Sequence, residues 1–270
     1  MVEKFTEACV NKTKQSVLQT FVLAILAGMF IAFGANSSNL AVHAIDNLGV
    51  AKVVAGVIFP VGLMLIVAVA GELFTGDCML IFGNYAGRYS AAKTIEKLVT
   101  VFLGNLVGGV LIAALVSAAG QFNMGNAAVG AYTIKVAFGK LQYSFAQCVA
   151  SGILCNIIVC LAVLMASRCT DVPGKVIAVF LPICAFVIGS FEHCVANMYY
   201  IPAGMMAASN PACAAKAAEL YGYTDEMLAS VNVVNFLTKN LVGVTIGNII
   251  GGMIFVALPL FYLEMKAGKK

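Results

Sequence analysis

The chain has 270 residues, of which 61% are hydrophobic and only 10% are charged. Water-soluble domains average roughly 45–50% apolar and about 25% charged residues, so this chain has too little polar surface to be a soluble globular protein. Its formal net charge of +4 is spread thinly along the sequence, which excludes a nucleic-acid-binding face. The composition therefore predicts an all-α integral membrane protein, and at about 20 residues per span its length holds about six transmembrane helices.

The apolar runs divide the chain into these six predicted spans. Residues 1–15 are polar, with Val2, Phe5 and Cys9 at helical spacing, and form a predicted cytoplasmic N-terminal segment, either a short helix on the membrane surface or a frayed tail. Residues 16–265 are predicted to be one membrane domain. The second and fifth spans are longer than about 30 residues, more than a bilayer needs, so each is predicted to be interrupted. The six spans cover approximately residues 17–35, 53–86, 98–119, 144–165, 176–208 and 231–262.

The distribution of positive charge predicts the orientation. With six spans both termini lie on the same side of the membrane, together with a cytoplasmic tail over residues 266–270. Cytoplasmic loops carry an excess of Lys and Arg, so we expect both termini in the cytoplasm and the chain in the inner (plasma) membrane. The side of the termini carries eleven of the 16 basic residues: Lys4, Lys12, Lys14, Arg88, Lys93, Lys97, Arg168, Lys175, Lys266, Lys269 and Lys270.

The two halves of the chain repeat one another. The hexad Gly104–Gly109 (GNLVGG) in the third span returns as Gly247–Gly252 (GNIIGG) in the sixth. Because each unit contains three spans, the second unit must enter the membrane from the opposite face, which predicts an inverted 3+3 repeat with halves of about 16–120 and 140–265. The glycines of the hexads are interpreted as sites of close helix packing, and the asparagine of each hexad as a side chain that bonds neighbouring helices together.

Both over-long spans are interrupted by glycine and ionisable residues. The interruptions are residues 71–77 (GELFTGD) and 189–197 (GSFEHCVAN). Unwound backbone and charged side chains at membrane depth are tolerated only where they line a cavity or are buried in protein. In an inverted repeat the corresponding breaks meet on the substrate path. The two segments therefore predict the binding site of a transported solute.

Six short motifs, in order along the chain, carry a family resemblance. They are Gly71–Gly76, Gly152–Asn156 with Val159–Val163, Phe191–His193, Ala196–Met198, Ile201–Pro202 and Val244–Asn248. Together they resemble the formate/nitrite transporter family, over about residues 15 to 262. The resemblance implies a homopentamer of six-span subunits with an aquaporin-like fold. Each subunit would have its own pore for small monovalent anions such as formate, nitrite or hydrosulfide.

The resemblance also implies roles for single residues, matched position by position. Leu63 and Leu73 resemble the constriction on the cytoplasmic side, and Phe186 resembles the one on the periplasmic side. Lys140 precedes the fourth span as the vestibule lysine of the family does. The polar pore and selectivity residues that the resemblance implies are His193, Thr75, Lys140, Asn156, Glu192 and Asn197.

One position departs from the formate-transporting members of the family. Asp77 stands where those members carry small neutral residues. The sequence Glu-Leu-Phe-Thr-Gly before it is more similar to the nitrite and hydrosulfide branches of the family. Among the three anions the sequence therefore favours hydrosulfide slightly. Asp77 is either a selectivity group or a cap at the N-terminus of the second half-helix, where a carboxylate is favoured, and we favour the cap.

The residues suggest how such a pore would select its solute. An anion that enters a ring of Leu and Phe side chains loses its water and gains no partner, which is prohibitively costly, whereas the neutral acid crosses at far lower cost. Lys140, unless it is only a lysine reaching towards the interface, would concentrate anions at the mouth. His193 would give the anion a hydrogen bond or a proton between the constrictions. Weak-acid anions would then pass and strong-acid anions would pass poorly.

Features of the sequence suggest three other functions for the chain. A gated secondary transporter of anions and protons would share the inverted repeat and the broken helices. A neutral-solute channel of the aquaporin type is suggested by Asn210-Pro211-Ala212, but aquaporins need two copies of this tripeptide at mid-membrane. An intramembrane enzyme would have to use Cys194 beside His193, so no enzyme activity is expected. The nine cysteines contain no Cys-x-x-Cys pair, and neither disulfides, a metal site nor a cofactor are expected.

Overall fold

The computed structural model describes residues 2–267, with side chains for residues 2–264, so the end of the predicted tail (268–270) lies outside the described residues. The described part of the chain is helical throughout and contains no strand, which confirms the all-α prediction. The helices of the first half are α1 (Val2–Thr13), α2 (Val17–Val42), α3 (Leu48–Ile58), α4 (Val61–Val69), α5 (Phe74–Asp77), α6 (Ile81–Tyr85) and α7 (Ala91–Ala118).

The second half follows the same order. Two π-helical segments, Phe236–Leu241 and Gly251–Ala257, join three of its helices into one continuous rod. The helices of this half are α8 (Ala128–Lys140), α9 (Phe145–Ser167), α10 (Val172–Ile188), α11 (Cys194–Ala208), α12 (Pro211–Tyr221), α13 (Asp225–Ala229), α14 (Val233–Asn235), α15 (Val242–Ile250) and α16 (Leu258–Ala267).

The predicted spans correspond to long apolar helices. Among the residues that the structure describes, five segments are long and apolar enough to cross a membrane, while α10 is apolar but shorter. A sixth crossing needs α10 and α11 together, as the sequence predicts for its interrupted fifth span, and the count of six stays a prediction. The five segments are Val17–Val42, Leu48–Val69, Ala91–Ala118, Phe145–Ser167 and Val233–Glu264.

Both predicted interruptions are present. The second span stops at Val69 and resumes as α5 at Phe74, and the fifth stops at Ile188 and resumes as α11 at Cys194. At each break one residue other than glycine adopts a positive φ, 101° at Ala70 and 57° at Ser190. Such backbone is uncommon for residues with a side chain and is held in place by the surrounding structure.

The repeated hexads hold these breaks. In the third span Asn105 Oδ1 accepts a hydrogen bond from Phe74 N at 2.9 Å, and its Nδ2 donates to Glu72 O at 2.9 Å. In the sixth span Asn248 Oδ1 accepts from Cys194 N at 3.0 Å, and its Nδ2 donates to Glu192 O at 3.1 Å. Each asparagine therefore satisfies two backbone groups at the point where an unwound segment re-enters a helix. As predicted, the hexad asparagines bond neighbouring helices, and the groups that they bond lie at the beginning of each half-helix.

Four of the hexad glycines pack against the first span of their own half. A Cβ added at Gly108 would collide with the carbonyl oxygen of Ile25 on α2, and one at its repeat partner Gly251 with that of Ile153 on α9. The prediction that these glycines allow close helix approach is therefore confirmed.

The structure corrects the interpretation of Asp77 as a helix cap. The helix α5 begins at Phe74 after Leu73, which makes no side-chain cap, and Asp77 lies at the other end of this short helix. The free N–H of Phe74 is bonded by Asn105 instead, because the asparagine reaches it from α7. His193 is the residue that caps its half-helix, through Nδ1.

The N-terminal segment is a helix that packs on protein. Val2, Thr6 and Cys9 of α1 are buried, and Phe5 lies edge-on to Phe82 of α6 with ring centroids 5.8 Å apart. Of the two predicted alternatives the helix is correct, although its buried side contacts protein. The end of the molecule that carries α1 is called the α1 end below, and the opposite end, where α8 stops at Lys140, the α8 end.

The aquaporin-like tripeptide lies far from both breaks. Asn210 at the α8 end accepts a hydrogen bond from Ala212 N at 3.0 Å and so begins α12. The tripeptide therefore starts a peripheral helix, and it gives no support to a neutral-solute channel.

Candidate functional site

The two breaks meet at one pair of side chains. Thr75 follows the first break and His193 precedes the second half-helix, and Thr75 Oγ1 lies 3.0 Å from His193 Nε2. Thr75 is fully buried and His193 is 3% exposed. Residues 118 positions apart thus form one polar contact at the crossing of two broken helices, where the sequence predicts a solute site.

The surroundings of His193 define its tautomer. Nδ1 accepts a hydrogen bond from the backbone N–H of Ala196 at 3.2 Å, as a helix N-cap. A nitrogen that accepts this bond carries no proton, so the proton of the neutral imidazole is on Nε2 and is donated to Thr75 Oγ1. The N-terminus of a helix also disfavours a positive charge. The geometry therefore presents a neutral imidazole that donates to the threonine, whose own hydroxyl proton is free to be donated onward.

One cavity approaches this pair from the α1 end and is called the α1 vestibule. It has a volume of about 230 Å³, and its walls come from α1, from the second span and from the beginning of α10. Leu63 and Leu73, which the sequence assigns to a constriction, line it and are 2% and 3% exposed. This vestibule therefore ends on an apolar floor, with Leu73 directly before the Phe74–Thr75 turn.

A larger cavity approaches from the α8 end and is called the α8 vestibule. It has a volume of about 430 Å³ and reaches His193. Phe186, the other predicted constriction residue, packs edge-on against Phe59, with ring centroids 5.6 Å apart, and lies 5.9 Å from the His193 ring. Both phenylalanines are 3% exposed. The polar pair thus lies between two apolar layers.

A buried hydrogen-bond network surrounds Glu192 beneath the α8 vestibule. Its Oε1 is 2.7 Å from Lys140 Nζ, and its Oε2 accepts from Asn197 Nδ2 at 2.6 Å and from Asn240 Nδ2 at 3.2 Å. Asn240 Nδ2 also donates to the carbonyl oxygen of Lys140 at 3.0 Å. Three of the residues implied by the resemblance, Lys140, Glu192 and Asn197, therefore form one unit.

A related cluster occupies the corresponding place at the α1 end. Lys12 Nζ lies 2.6 Å from both Glu72 Oε2 and Asp77 Oδ1, so one ammonium group pairs with two carboxylates. Burial alone would lower the pKa of Lys12, but the charges of Asp77 and Glu72 outweigh burial and raise it. Lys12 is therefore charged at every physiological pH and ties α1 to the first break.

Asn156 lies behind Thr75, on the side away from both vestibules. Its Nδ2 donates to the carbonyl oxygens of Thr75 at 3.1 Å and Asn248 at 2.6 Å. It is fully buried in α9. This residue therefore positions the backbone that carries the Thr75 hydroxyl.

Sequence reasoning missed several residues of the site. The pairing of Phe59 with Phe186 had a weak signal, since an apolar residue followed by proline occurs in both broken spans at Phe59-Pro60 and Leu181-Pro182. Lys12 could have been found as a cation at helical spacing from the buried residues of α1. Asn240 gave no signal, because a lone asparagine at the start of a span is ordinary.

The described residues offer no metal centre. Among them no group of three or more His, Cys, Asp or Glu side chains is placed to hold a metal ion, and the nine cysteines are unpaired. At the crossing of the breaks, Thr75 Oγ1 and His193 Nε2 are able to donate and accept hydrogen bonds.

Comparison with known proteins agrees with the fold and the motifs. The family model described as formate/nitrite transporter matches residues 1–262. The formate channel FocA of Escherichia coli K12 is 34% identical over 98% of this chain and 93% of that protein. A probable formate transporter of Methanothermobacter thermautotrophicus is 36% identical over 94% of this chain and 92% of its own length.

Solved structures agree as well. A pentameric formate channel with formate bound has a TM-score of 0.81 and 31% identity, covering 92% of this chain and 98% of that one. An ion channel of the same family has a TM-score of 0.82 and 26% identity, covering 97% and 99%. The chain is therefore a multi-pass membrane transport protein rather than an enzyme, and it belongs to the formate/nitrite transporter family.

Proposed function

We propose that the chain forms a pore for small monovalent anions of weak acids, with formate as the first candidate. The observation that carries the proposal is the Thr75–His193 pair, buried between the apolar layers of Leu63 and Leu73 on one side and Phe186 on the other. The formate channels among its relatives support formate; they give no support to the preference for hydrosulfide that Asp77 suggests. Nitrite and hydrosulfide are therefore tested beside formate.

The proposed mechanism follows from the cost of moving charge through apolar surroundings. A bare anion at either constriction would lose its hydration without a compensating partner, whereas the neutral acid meets a much lower barrier. Between the constrictions the Thr75 hydroxyl, itself bonded by His193, donates a hydrogen bond to the solute where it loses or regains its proton. The residues of the site thus lower the barrier for a protonated solute.

The assembly and orientation are part of the proposal. The pentameric formate channel that this chain resembles supports a homopentamer with one pore in each subunit. The basic residues gathered at the α1 end support a cytoplasmic α1 end, and with it cytoplasmic termini in an inner membrane.

Flux into proteoliposomes tests the proposal. We expect formate, nitrite and hydrosulfide to enter faster as the pH is lowered, because more of each acid is neutral, while nitrate enters poorly. His193→Ala should reduce formate flux, because Thr75 loses the donor that orients its hydroxyl, while the pH dependence set by the neutral fraction of the acid remains. His43→Ala is the matched control, since His43 caps α2 at the α8 end and bonds only Leu40 O. Undiminished and pH-independent flux through His193→Ala would refute the mechanism; protein-free vesicles supply the background of neutral acid crossing lipid.

A gated secondary transporter is the second candidate, because the polar pair is buried and apolar side chains lie on both sides of it, Leu63 and Leu73 towards the α1 end and Phe186 towards the α8 end. Alternating access predicts that unlabelled formate on the far side accelerates uptake of labelled formate. A pore shows no such acceleration, so this measurement separates the two functions.

A further inference from the structure

The lysine that the family resemblance places in the α8 vestibule is already neutralised. Lys140 Nζ is 2.7 Å from Glu192 Oε1, and the ammonium also lies 5.1 Å from the centre of the Tyr200 ring. A charge paired this closely has little attraction left for a distant anion. Lys140 therefore belongs to the buried network around Glu192, and another cation must attract the solute.

Lys52 of α3 is the free cation of this vestibule. It lines the cavity and is half-buried, and among residues 2–264 no hydrogen bond or ion pair involves its ammonium group. It lies near enough to Lys140 and Glu192 to interact electrostatically with both. Its charge is therefore available to a solute in the cavity.

The position of Lys52 on α3 leads towards the constriction. Lys52, Ala55 and Phe59 are spaced three and four residues apart, so they share one helix face, and all three line the α8 vestibule. Seven residues of helix rise about 10 Å, which places the ammonium-bearing residue two turns from the apolar floor at Phe59. An anion held at Lys52 is thus already on the path to the Thr75–His193 pair.

Lys135 is a second cation at the same cavity, but it is held at the rim. Its ammonium lies 4.5 Å from the centre of the Tyr221 ring and 5.9 Å from that of Tyr132, and the residue is exposed. Water and salt screen a charge there more strongly than one inside a cavity. Lys135 adds to the positive potential without holding the solute on the path.

The charged residues lining the α8 vestibule sum to a positive value. Lys52, Lys135 and Lys140 stand against Asp46 and Glu192, and three positive charges against two negative ones leave one positive charge. A cleft of one sign with apolar walls raises the local concentration of the opposite ion. The free positive charge nearest to the floor is that of Lys52.

We propose that Lys52 is the anion-capture residue of the α8 vestibule, binding the carboxylate of formate or a similarly small anion before it reaches the Phe59–Phe186 constriction. This inference rests on the proposed function, since it concerns the entry of the same solute. The captured anion exchanges part of its water for the ammonium group, then accepts a proton from the water of the vestibule and crosses the apolar layer as the neutral acid.

The test is the salt dependence of formate uptake in proteoliposomes of known orientation, with formate added at the α8 end. Uptake is compared at about 10 mM and about 1 M of an impermeant salt, where the Debye lengths are about 30 Å and about 3 Å. We expect Lys52→Gln to raise the half-saturating formate concentration about 2- to 4-fold at low salt, as expected for loss of a unit charge about 5–10 Å away in water. Maximal flux should change little, and the difference should vanish at high salt.

Two variants serve as controls. Lys52→Arg keeps the charge and should behave as the unaltered chain does. Lys239→Gln removes one charge at the same end of the molecule from an exposed residue that does not line the cavity, and it should also leave uptake unchanged.

The outcomes separate this inference from the proposed function. If the unaltered chain passes formate and Lys52→Gln has the same half-saturation at low salt, the capture role is wrong and the channel function stands. The capture role is equally wrong if Lys52→Gln lowers flux alike at both salt concentrations, which indicates a structural defect. If the unaltered chain passes none of the three anions, the proposed function itself fails.

Discussion

At the scale of single residues, the site depends on the direction of its hydrogen bonds. His193 Nδ1 is occupied by the backbone N–H of Ala196, so the ring donates from Nε2 to Thr75 Oγ1. The Thr75 hydroxyl accepts this bond and retains its own proton for a solute. The threonine is therefore the group that faces the solute, and the histidine is the group that sets the direction of its hydroxyl.

Replacement of Thr75 tests this order. Thr75→Val keeps the shape of the side chain but leaves Nε2–H of His193 buried without an acceptor, which costs about 1–3 kcal/mol. We expect formate flux to fall at least about tenfold while the assembled protein is still recovered from detergent. Thr75→Ser retains the hydroxyl and is the matched control. Equal flux through the valine and serine variants would show that the hydroxyl has no part in transport.

The residue-scale predictions succeed where chemistry is local and fail where it depends on a distant partner. A histidine inside an apolar span is visible in the sequence, but its bond to Thr75 joins positions 118 apart, and the residues alone do not show it. The paired state of Lys140 escaped for the same reason, since Glu192 lies 52 positions away. Asp77 was assigned to a cap because a carboxylate is favoured at a helix N-terminus, and its pairing with Lys12, 65 positions away, is not visible in the sequence.

At the scale of elements, the two broken spans are stabilised by the two repeated hexads. Each hexad asparagine accepts a hydrogen bond from the first N–H of one half-helix and donates one to the carbonyl oxygen two residues before it. The two hydrogen bonds are 2.9 Å and 2.9 Å long for Asn105, and 3.0 Å and 3.1 Å long for Asn248. Helix ends buried in lipid-facing protein have no water to satisfy them. The asparagines therefore supply the hydrogen bonds that allow the helices to break inside the membrane.

Loss of one hexad asparagine should therefore strongly destabilise the protein. Asn248→Ala leaves the N–H of Cys194 and the carbonyls of Glu192 and Gly152 without their partner. At about 1–3 kcal/mol for each unsatisfied buried group, we expect a large fall in thermal stability in detergent and loss of formate flux.

Asn210→Ala is the graded control for this prediction. It removes the cap of α12, which is worth about 1 kcal/mol, and one exposed hydrogen bond to Asn123, and it should leave flux unchanged. A variant Asn248→Ala as stable as Asn210→Ala would show that the hexads serve helix packing alone.

The elements that the sequence predicts well are those with a strong periodic or length signal. Span length and interrupting glycines identify both breaks, and the hexads identify the repeat. Helices α8 and α12 were treated as connections, because both lie between spans in less apolar stretches without a span-length run. They cover the α8 end and shape its vestibule, so the outer part of the site was the least predictable.

At the scale of the whole molecule, the two vestibules are alike in plan and different in charge. Each contains a lysine paired with the glutamate of a break, Lys12 with Glu72 and Lys140 with Glu192. Each also has a lysine near the beginning of a broken span, Lys175 in the α1 vestibule and Lys52 in the α8 vestibule. The inverted repeat accounts for this likeness.

The difference arises from one residue. Asp77 lines the α1 vestibule together with Lys12 and Lys175, and Glu72 pairs with Lys12 directly behind the lining, so these four charges sum to zero. At the corresponding position of the second half stands Asn197, which is uncharged, and the α8 vestibule retains one positive charge. Anions are therefore captured more readily at the α8 end, and at low concentration the unaltered chain should favour entry from that end.

Asp77→Asn should remove this asymmetry. The amide keeps the shape of the side chain, Lys12 retains Glu72 at 2.6 Å, and the sum of the four charges at the α1 vestibule changes from zero to one positive charge. We expect formate flux from the α1 end at low concentration and low salt to rise about 2- to 4-fold, with flux from the α8 end unchanged. Screening by about 1 M salt should abolish the gain, because the Debye length falls to about 3 Å. Glu219→Gln neutralises an exposed carboxylate that pairs with Lys216, away from both cavities, and is the control. Flux that rises equally from both ends, or does not rise at all, would mean that the charge of Asp77 does not govern which end captures the anion.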